Sequence, residues 1–217
     1  MKQKRFITDA SHEIKTPLAI IDANTDVLEM EQGESEWTGS IKKQIQRLTN
    51  LTEKLVMLSR MDEGSAALQM IDFCLSEAIT DTVQPYEAVA KAKGKHLQIQ
   101  VQEDVFYHGD EAAVRQMTAL LLDNAIKYSE ENGTIQVLFK THGKNKILKV
   151  KNSVDKINKG KQDNLFERFY REDESRNSQT GGHGIGLSVA QAIVTAHKGK
   201  ISAYSEDGKS IEFTVTL

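Results

Sequence analysis

The residues best suited to chemistry come early: Ser11-His12-Glu13-Ile14-Lys15-Thr16-Pro17-Leu18. Ile7, Ile14, Ile21 and Leu28 recur at every seventh position, and Ala10, Pro17 and Leu18 fill in the seam of a helix that packs on other helices. At about 100° per residue, His12 falls about 200° round from Ile14, so the periodicity turns it away from that seam. Glu13 stands beside it and Thr16 follows one turn later on the same side. Pro17 offers no N–H to the carbonyl of Glu13, and the backbone is expected to bend there. Such an imidazole reads as prepared for chemistry, not for packing.

Three further groups could handle a phosphorylated ligand. Gly181-Gly182-His183-Gly184-Ile185-Gly186-Leu187 precedes a helical pattern. Glycines let backbone N–H groups approach an anion, and a helix N-terminus adds partial positive charge; alone, the cluster reads equally well as a hinge. In Leu121-Leu122-Asp123-Asn124-Ala125-Ile126-Lys127-Tyr128, Asn124 is costly to bury unpaired, and its amide oxygen suits one position on Mg²⁺. Lys127 can meet phosphates and Tyr128 can lie flat against a base, although a loop-capping asparagine and a solvated lysine fit the same residues. Leu165-Phe166-Glu167-Arg168-Phe169-Tyr170-Arg171 sets large aromatics and two arginines in a polar loop. It reads either as a satellite core or as a lid whose Arg168 and Arg171 close over phosphates.

The elements that must position these groups fall into two parts. Residues 1–63 read as a helical hairpin. Its first helix spans about Lys2 to Glu31, and Thr38 is the expected N-cap of a second that carries Ile41, Ile45, Leu48, Leu51, Leu55 and Leu58. One hairpin cannot bury both seams, which predicts a homodimer through residues 1–63 forming a four-helix bundle. A linker at 64–67 leads to 68–217, where strands and helices alternate as an α+β two-layer sandwich. Strands are expected at Gln69–Cys74, His96–Val101, Thr134–Lys140, Ile147–Asn152, Lys200–Ser205 and Ile211–Leu217. Helices are expected from Ser76 to near Gly94, from Asp110 through Tyr128, and from about Gly184 to His197.

Composition excludes several classes. The net charge of −3 gives no reason to expect nucleic acid or an anionic membrane as partner. Cys74 is the single cysteine, so no internal disulfide forms and a reducing, cytoplasmic setting is expected. The six histidines show no second ligand at zinc spacing. No apolar run is long enough for a membrane span, and the early start of the helical seam suggests a piece of something longer.

Taken in order, these motifs resemble the catalytic portion of bacterial two-component sensor histidine kinases. Residues 1–63 are similar to the dimerisation and phosphotransfer hairpin, with F-x-x-x-x-S-H-E-I-K-T-P-L standing as Phe6 through Leu18. Residues 68–217 resemble the ATP-binding domain shared with gyrase- and Hsp90-type ATPases. The resemblance implies that His12 attacks the γ-phosphate of ATP through Nε2. At the ordinary imidazole pKa of about 6.5 the ring is mostly neutral at pH 7. It further implies that Glu13 accepts the other ring proton and that Thr16 orients water for dephosphorylating the partner. Asn124 would hold Mg²⁺, Lys127 would meet the phosphates and Tyr128 would flank the adenine. Gly182, Gly184 and Gly186, leading into Leu187, would form the phosphate-facing turn. The implied partner is a response-regulator receiver domain that takes the phosphoryl group on an aspartate.

The chain departs from the family in one box. Where D-x-G-x-G is usual, it has Asn152-Ser153-Val154-Asp155-Lys156. Asn152 can still accept a hydrogen bond from the adenine amine, but without charge assistance, at a cost of about 1–2 kcal/mol or about tenfold in affinity. Val154 and Lys156 replace glycines, which puts the flexibility of that loop in question. Leu120 stands where the family often has another asparagine. An ATP-dependent histidine autokinase is the favoured expectation. The alternative is a degenerate signalling module that acts as phosphatase or dimeric scaffold with weak or absent nucleotide binding.

Overall fold

The computed structural model describes the backbone of residues 2–62, 68–170 and 184–217, and the side chains of 14–59, 61, 68–170 and 184–217. Two antiparallel helices come first, α1 (Lys2–Gln32) and α2 (Glu36–Asp62), and α1 runs through Pro17 as one helix. Leu18, Thr25, Ile45 and Thr52 are buried along the intrachain seam. Both threonines spend their hydroxyls on their own helix, Thr25 on the Ile21 carbonyl and Thr52 on that of Thr49, so neither buries an unpaired group. Lys42 reaches across to Asp26 at 2.7 Å and to Glu29, and these two hydrogen bonds raise its ammonium pKa. Ile14, Ile21, Leu28, Ile41 and Leu48 remain exposed. A single hairpin therefore leaves half of its apolar pattern uncovered.

The turn between the helices corrects one expectation. Ser35, not Thr38, caps α2: its Oγ accepts from the Thr38 N–H at 3.1 Å, and Thr38 Oγ1 accepts in return from the Ser35 N–H at 3.0 Å. This is a reciprocal capping box with threonine in the third position.

The second part is a helix layer on a mixed sheet. Strands β2 (His96–Val101), β4 (Thr134–His142), β5 (Asn145–Ser153), β6 (Gly160–Lys161), β7 (Lys200–Ser205) and β8 (Ser210–Thr216) lie in the order β2-β4-β5-β8-β7-β6. Only β2 and β4 pair parallel. A separate ribbon pairs β1 (Ile71–Cys74) with β3 (Phe106–Gly109). Inward residues alternate strictly: Ile135, Val137 and Phe139 on β4, Leu148, Val150 and Asn152 on β5, Ile211, Phe213 and Val215 on β8. Helices α3 (Leu75–Val83), α4 (Pro85–Ala92), α5 (Glu111–Tyr128) and α6 (Gly186–Ala196) supply the other layer. Core residues of α5 include Met117, Leu121, Leu122, Ala125 and Ile126, so this helix is apolar around most of its girth and sits centrally. Leu58 of α2 joins the same core, flanked by Leu51, Leu55 and Met61.

Two details differ from the sequence expectation. The helix expected from Ser76 to Gly94 is two helices, because Pro85 opens α4 and cannot donate into the preceding turn. Ser76 does not cap. Its hydroxyl donates to the Gln102 carbonyl at 2.6 Å and accepts from the Val105 N–H at 3.0 Å, tying α3 to the loop before β3.

His197 closes the end of α6. Its Nε2 accepts the Asp110 N–H at 3.0 Å, which obliges Nδ1 to carry the proton that goes to the Ile193 carbonyl at 2.8 Å. Asp110 in turn caps α5 through Ala113 and holds the Gln69 N–H, each at 2.9 Å. One imidazole thus joins α6 to the start of α5. His197→Phe keeps the ring volume but leaves the Asp110 N–H without its acceptor, and differential scanning calorimetry is expected to show a melting temperature lower by about 3–8 °C.

Candidate functional site

The helix α1 carries positions 12 and 13 side by side and 16 one turn on, and Thr16, whose side chain is exposed, shares its face with position 12 by helical spacing. The outward orientation expected of His12 and the contacts of Glu13 lie outside the described side chains.

On α5 the polar residues sit where the apolar surface ends. Asn124 is half-buried, and Leu120, one turn before it, faces α6: a Cβ on Gly186 would stand 3.7 Å from Leu120 Cδ2. Asn124 therefore lies about 6 Å along the helix axis from the residue that meets the start of α6. Ile185, at the N-cap of α6, makes no side-chain capping bond among the described residues, and a helix start of this kind suits an anion through its N–H groups and dipole. Lys127 Nζ lies over the Tyr128 ring, 4.9 Å from its centroid, and Tyr128 is 42% exposed. The lysine positive charge and the flat ring thus form one surface at the end of α5.

Asn152 is the most informative residue of the site. Its inward parity on β5 places it in the core with no exposed surface. Its Nδ2 donates to the neighbouring Ser153 carbonyl at 3.0 Å, while Oδ1 is buried with no hydrogen-bond partner. A buried acceptor left in this state costs about 1–3 kcal/mol, so a donor on a ligand would be well received there. Ser153, which the sequence did not single out, orients this end of β5. Its carbonyl holds the amide, and its hydroxyl accepts the Thr134 N–H at 3.1 Å. Strand parity gave only that Ser153 turns to the face opposite Asn152; its bond to Thr134 follows from the β4–β5 register, which pairs Ile135 with Asn152.

The altered glycine box causes no backbone strain. Neither Val154 nor Lys156 has positive φ. The Val154 N–H donates to the Lys209 carbonyl at 2.9 Å, and that of Ile157 to Gly208 at 3.1 Å. This loop is pinned to the β7–β8 turn.

The aromatic segment divides in two. Phe166 is in the main core, edge-on to Phe213 at 6.3 Å, and Leu165 packs against the same cluster, so these two form no separate satellite core. Phe169 is exposed and takes φ +64°, and its N–H donates to the Gly184 carbonyl at 2.9 Å. Gly184, at φ +68°, has a packing reason of its own: a Cβ there would come within 2.8 Å of the Phe169 and Tyr170 backbone. Arg168 is exposed, Leu187 is buried under α6, and Arg171 and Gly182 lie outside the described residues. Among the described residues no group of three or more His, Cys, Asp or Glu could hold a metal ion. A cation here would depend on Asn124 and on oxygens brought by a ligand.

With this geometry in hand, the class is defined. The chain belongs to the histidine kinase-, DNA gyrase B-, and HSP90-like ATPase family, whose model matches residues 109–217. The His Kinase A (phospho-acceptor) domain matches residues 2–64, so the pair of domains is that of sensor histidine kinases. The sensor protein DltS of Streptococcus agalactiae is 37% identical over 205 residues, covering 94% of this chain and 52% of the relative. The sensor histidine kinase YkoH of Bacillus subtilis is 33% identical, covering 99% of this chain and 47% of the relative. The chain spans about half the length of the curated relatives it matches. Among solved structures, the Acinetobacter baumannii histidine kinase AdeS shares the fold at TM-score 0.70 and 24% identity, over 95% of this chain and 96% of that one. Full-length ShkA in complex with AMPPNP aligns at TM-score 0.79 and 19% identity, over 98% of this chain and 45% of that one. Among the described residues no helix is long and apolar enough to cross a membrane.

Proposed function

We propose that this chain transfers the γ-phosphoryl group of ATP to His12 and passes it to an aspartate of a response-regulator receiver domain. The hairpin comprises residues 1–63, a linker 64–67, and the ATP-binding domain 68–217. The observation that carries the reading is Asn152 Oδ1, a buried acceptor without a partner in a family of ATPases. The adenine amine is a donor of the right kind for it. Tyr128 flanks the base, while Lys127 and the start of α6, reached through Gly182, Gly184 and Gly186, face the phosphates. Asn124 is the protein oxygen for Mg²⁺, which when bound neutralises phosphate charge. Arg168 and Arg171 close over the nucleotide.

The chemistry is one substitution at phosphorus. The lone pair of His12 Nε2 forms the N–P bond as the bond from phosphorus to the bridging oxygen breaks, and ADP leaves with those electrons. Glu13 accepts the Nδ1 proton and so offsets the positive charge that grows on the ring. Thr16, exposed one turn along, orients water for the return hydrolysis of the phosphorylated partner. The uncovered stripe of Ile14, Ile21, Leu28, Ile41 and Leu48 fits a homodimer of hairpins. In this reading the chain is the cytoplasmic part of a longer, membrane-anchored parent, in keeping with its spanning about half the length of the relatives it matches.

The test uses ATP labelled at the γ position with Mg²⁺. Acid-labile, alkali-stable label on the chain, chased onto a receiver domain when one is added, is the expected result. No label at saturating ATP would instead identify the degenerate module.

A further inference from the structure

Asn152 differs from a carboxylate in a way that bears on which base the site accepts. Its amide is oriented by one contact, Nδ2 to the Ser153 carbonyl, which leaves the oxygen as the end without a partner. A purine with an exocyclic amine donates to that oxygen. A purine with a keto group at the same position presents an acceptor, and two acceptors repel. A carboxylate has only oxygens and cannot adapt. A carboxamide can make a half-turn about Cβ–Cγ and offer Nδ2 to the keto oxygen. The half-turn gives up the hydrogen bond to Ser153, a single neutral one between sequence neighbours, and brings Oδ1 toward that carbonyl, so the amide must rotate somewhat further to hold the two acceptors apart. Nothing else holds the amide, since Oδ1 has no bond to break.

We propose that Asn152 makes this nucleotide site tolerant of keto-purine triphosphates, with the preference for adenine set by the Ser153 carbonyl that anchors the amide. This rests on the reading of Asn152 as the residue that meets the base. A rigid site that hydrogen-bonds one ligand group commonly rejects the mismatched analogue by about 10⁴–10⁵. An amide that can reverse, with Oδ1 rotated clear of the Ser153 carbonyl, loses little beyond its anchor, which brings discrimination down to about tenfold.

The experiment is displacement of a fluorescent trinitrophenyl-ATP from the whole chain, read as binding without turnover. Inosine triphosphate, which carries the keto oxygen in place of the amine, is compared with ATP as competitor. In the unaltered chain it is expected to compete about tenfold less well than ATP. In Asn152→Asp the ratio should rise at least about tenfold further, because a carboxylate repels the keto oxygen in either orientation. In Asn152→Ala both nucleotides weaken and the ratio falls to within about threefold, since neither base retains its partner. A ratio above about a thousandfold in the unaltered chain overturns the proposal, because it would mean a rigid acceptor. A ratio that Asp and Ala substitution both leave unchanged overturns it as well. Burying a carboxylate could unfold Asn152→Asp, and then the other two ratios decide. If ATP itself fails to displace the probe at millimolar concentration, the nucleotide-binding reading falls, and this inference with it. That outcome is distinct from a high ratio.

Discussion

His12→Gln is expected to take up less than about a thousandth of the acid-labile phosphate that the unaltered chain takes from ATP, the size of loss seen when an enzyme loses its single nucleophile. Glutamine is a suitable replacement because it keeps polarity and length, and its helix propensity is slightly better than that of histidine. Its amide nitrogen has no free lone pair, so the N–P bond cannot form. The change lies on a helix surface by its spacing from Ile14, and displacement of the fluorescent nucleotide should therefore match the unaltered chain. Glu13→Gln is the companion: it leaves the nucleophile in place and removes the proton acceptor, with an expected loss of about 10²-fold in the rate of label uptake. Label that persists in His12→Gln would place the phosphoacceptor elsewhere and end the proposed role of residue 12.

The parts of the fold that were readable from sequence are those fixed by local spacing. The seven-residue repeat of Ile14, Ile21 and Leu28 marks α1, Asp110 caps α5 as expected, and the turn at Glu131-Asn132-Gly133 places Asn132 at φ 55°. What escaped depends on partners distant in the chain. The strand β3 is short and ends in Gly109, and it exists because Phe73 and Cys74, more than thirty residues earlier, pair with Tyr107 and Phe106. Ser76 has the composition of a helix cap, but the Gln102 and Val105 backbone claims its hydroxyl. Pro85 was visible and should have divided the helix. For the site, residue types were legible while their engagement was not. Val154 and Lys156 put the loop's flexibility in question, but only the structure shows what holds it: ordinary φ values and backbone bonds to Lys209 and Gly208. Gly184 read as a phosphate contact, yet its missing Cβ first makes room for Phe169 and Tyr170. The unpaired Oδ1 of Asn152 could not be read at all, because it follows from strand parity together with one bond to Ser153.

The pair of substitutions Ile21→Asp and Leu28→Asp is expected to convert a dimeric chain to monomers, raising the dimer dissociation constant by more than about 10³-fold in sedimentation equilibrium. Ile21 is 47% and Leu28 44% exposed in the single chain, and by helical spacing both lie beside the intrachain seam of Leu18 and Thr25. Covering two such side chains in each of two protomers supplies about 6 kcal/mol even if only half of their surface is gained, and aspartate both forfeits this and must be desolvated. The buried intrachain seam residues Leu18 and Ile45 are untouched, so the helical circular dichroism signal and the domain melting should hold. Ile20→Asp with Val27→Asp is the control. Those residues are also exposed, but each sits about 100° round the helix from its neighbour in the stripe, on the far side from the seam. Charge placed there should leave the dimer intact. The contrast between the two pairs separates a specific paired stripe from general surface hydrophobicity. It also bears on the chemistry, because a hairpin whose apolar face is closed by its twin is the rigid stalk from which position 12 can be presented to a nucleotide held by α5 and α6.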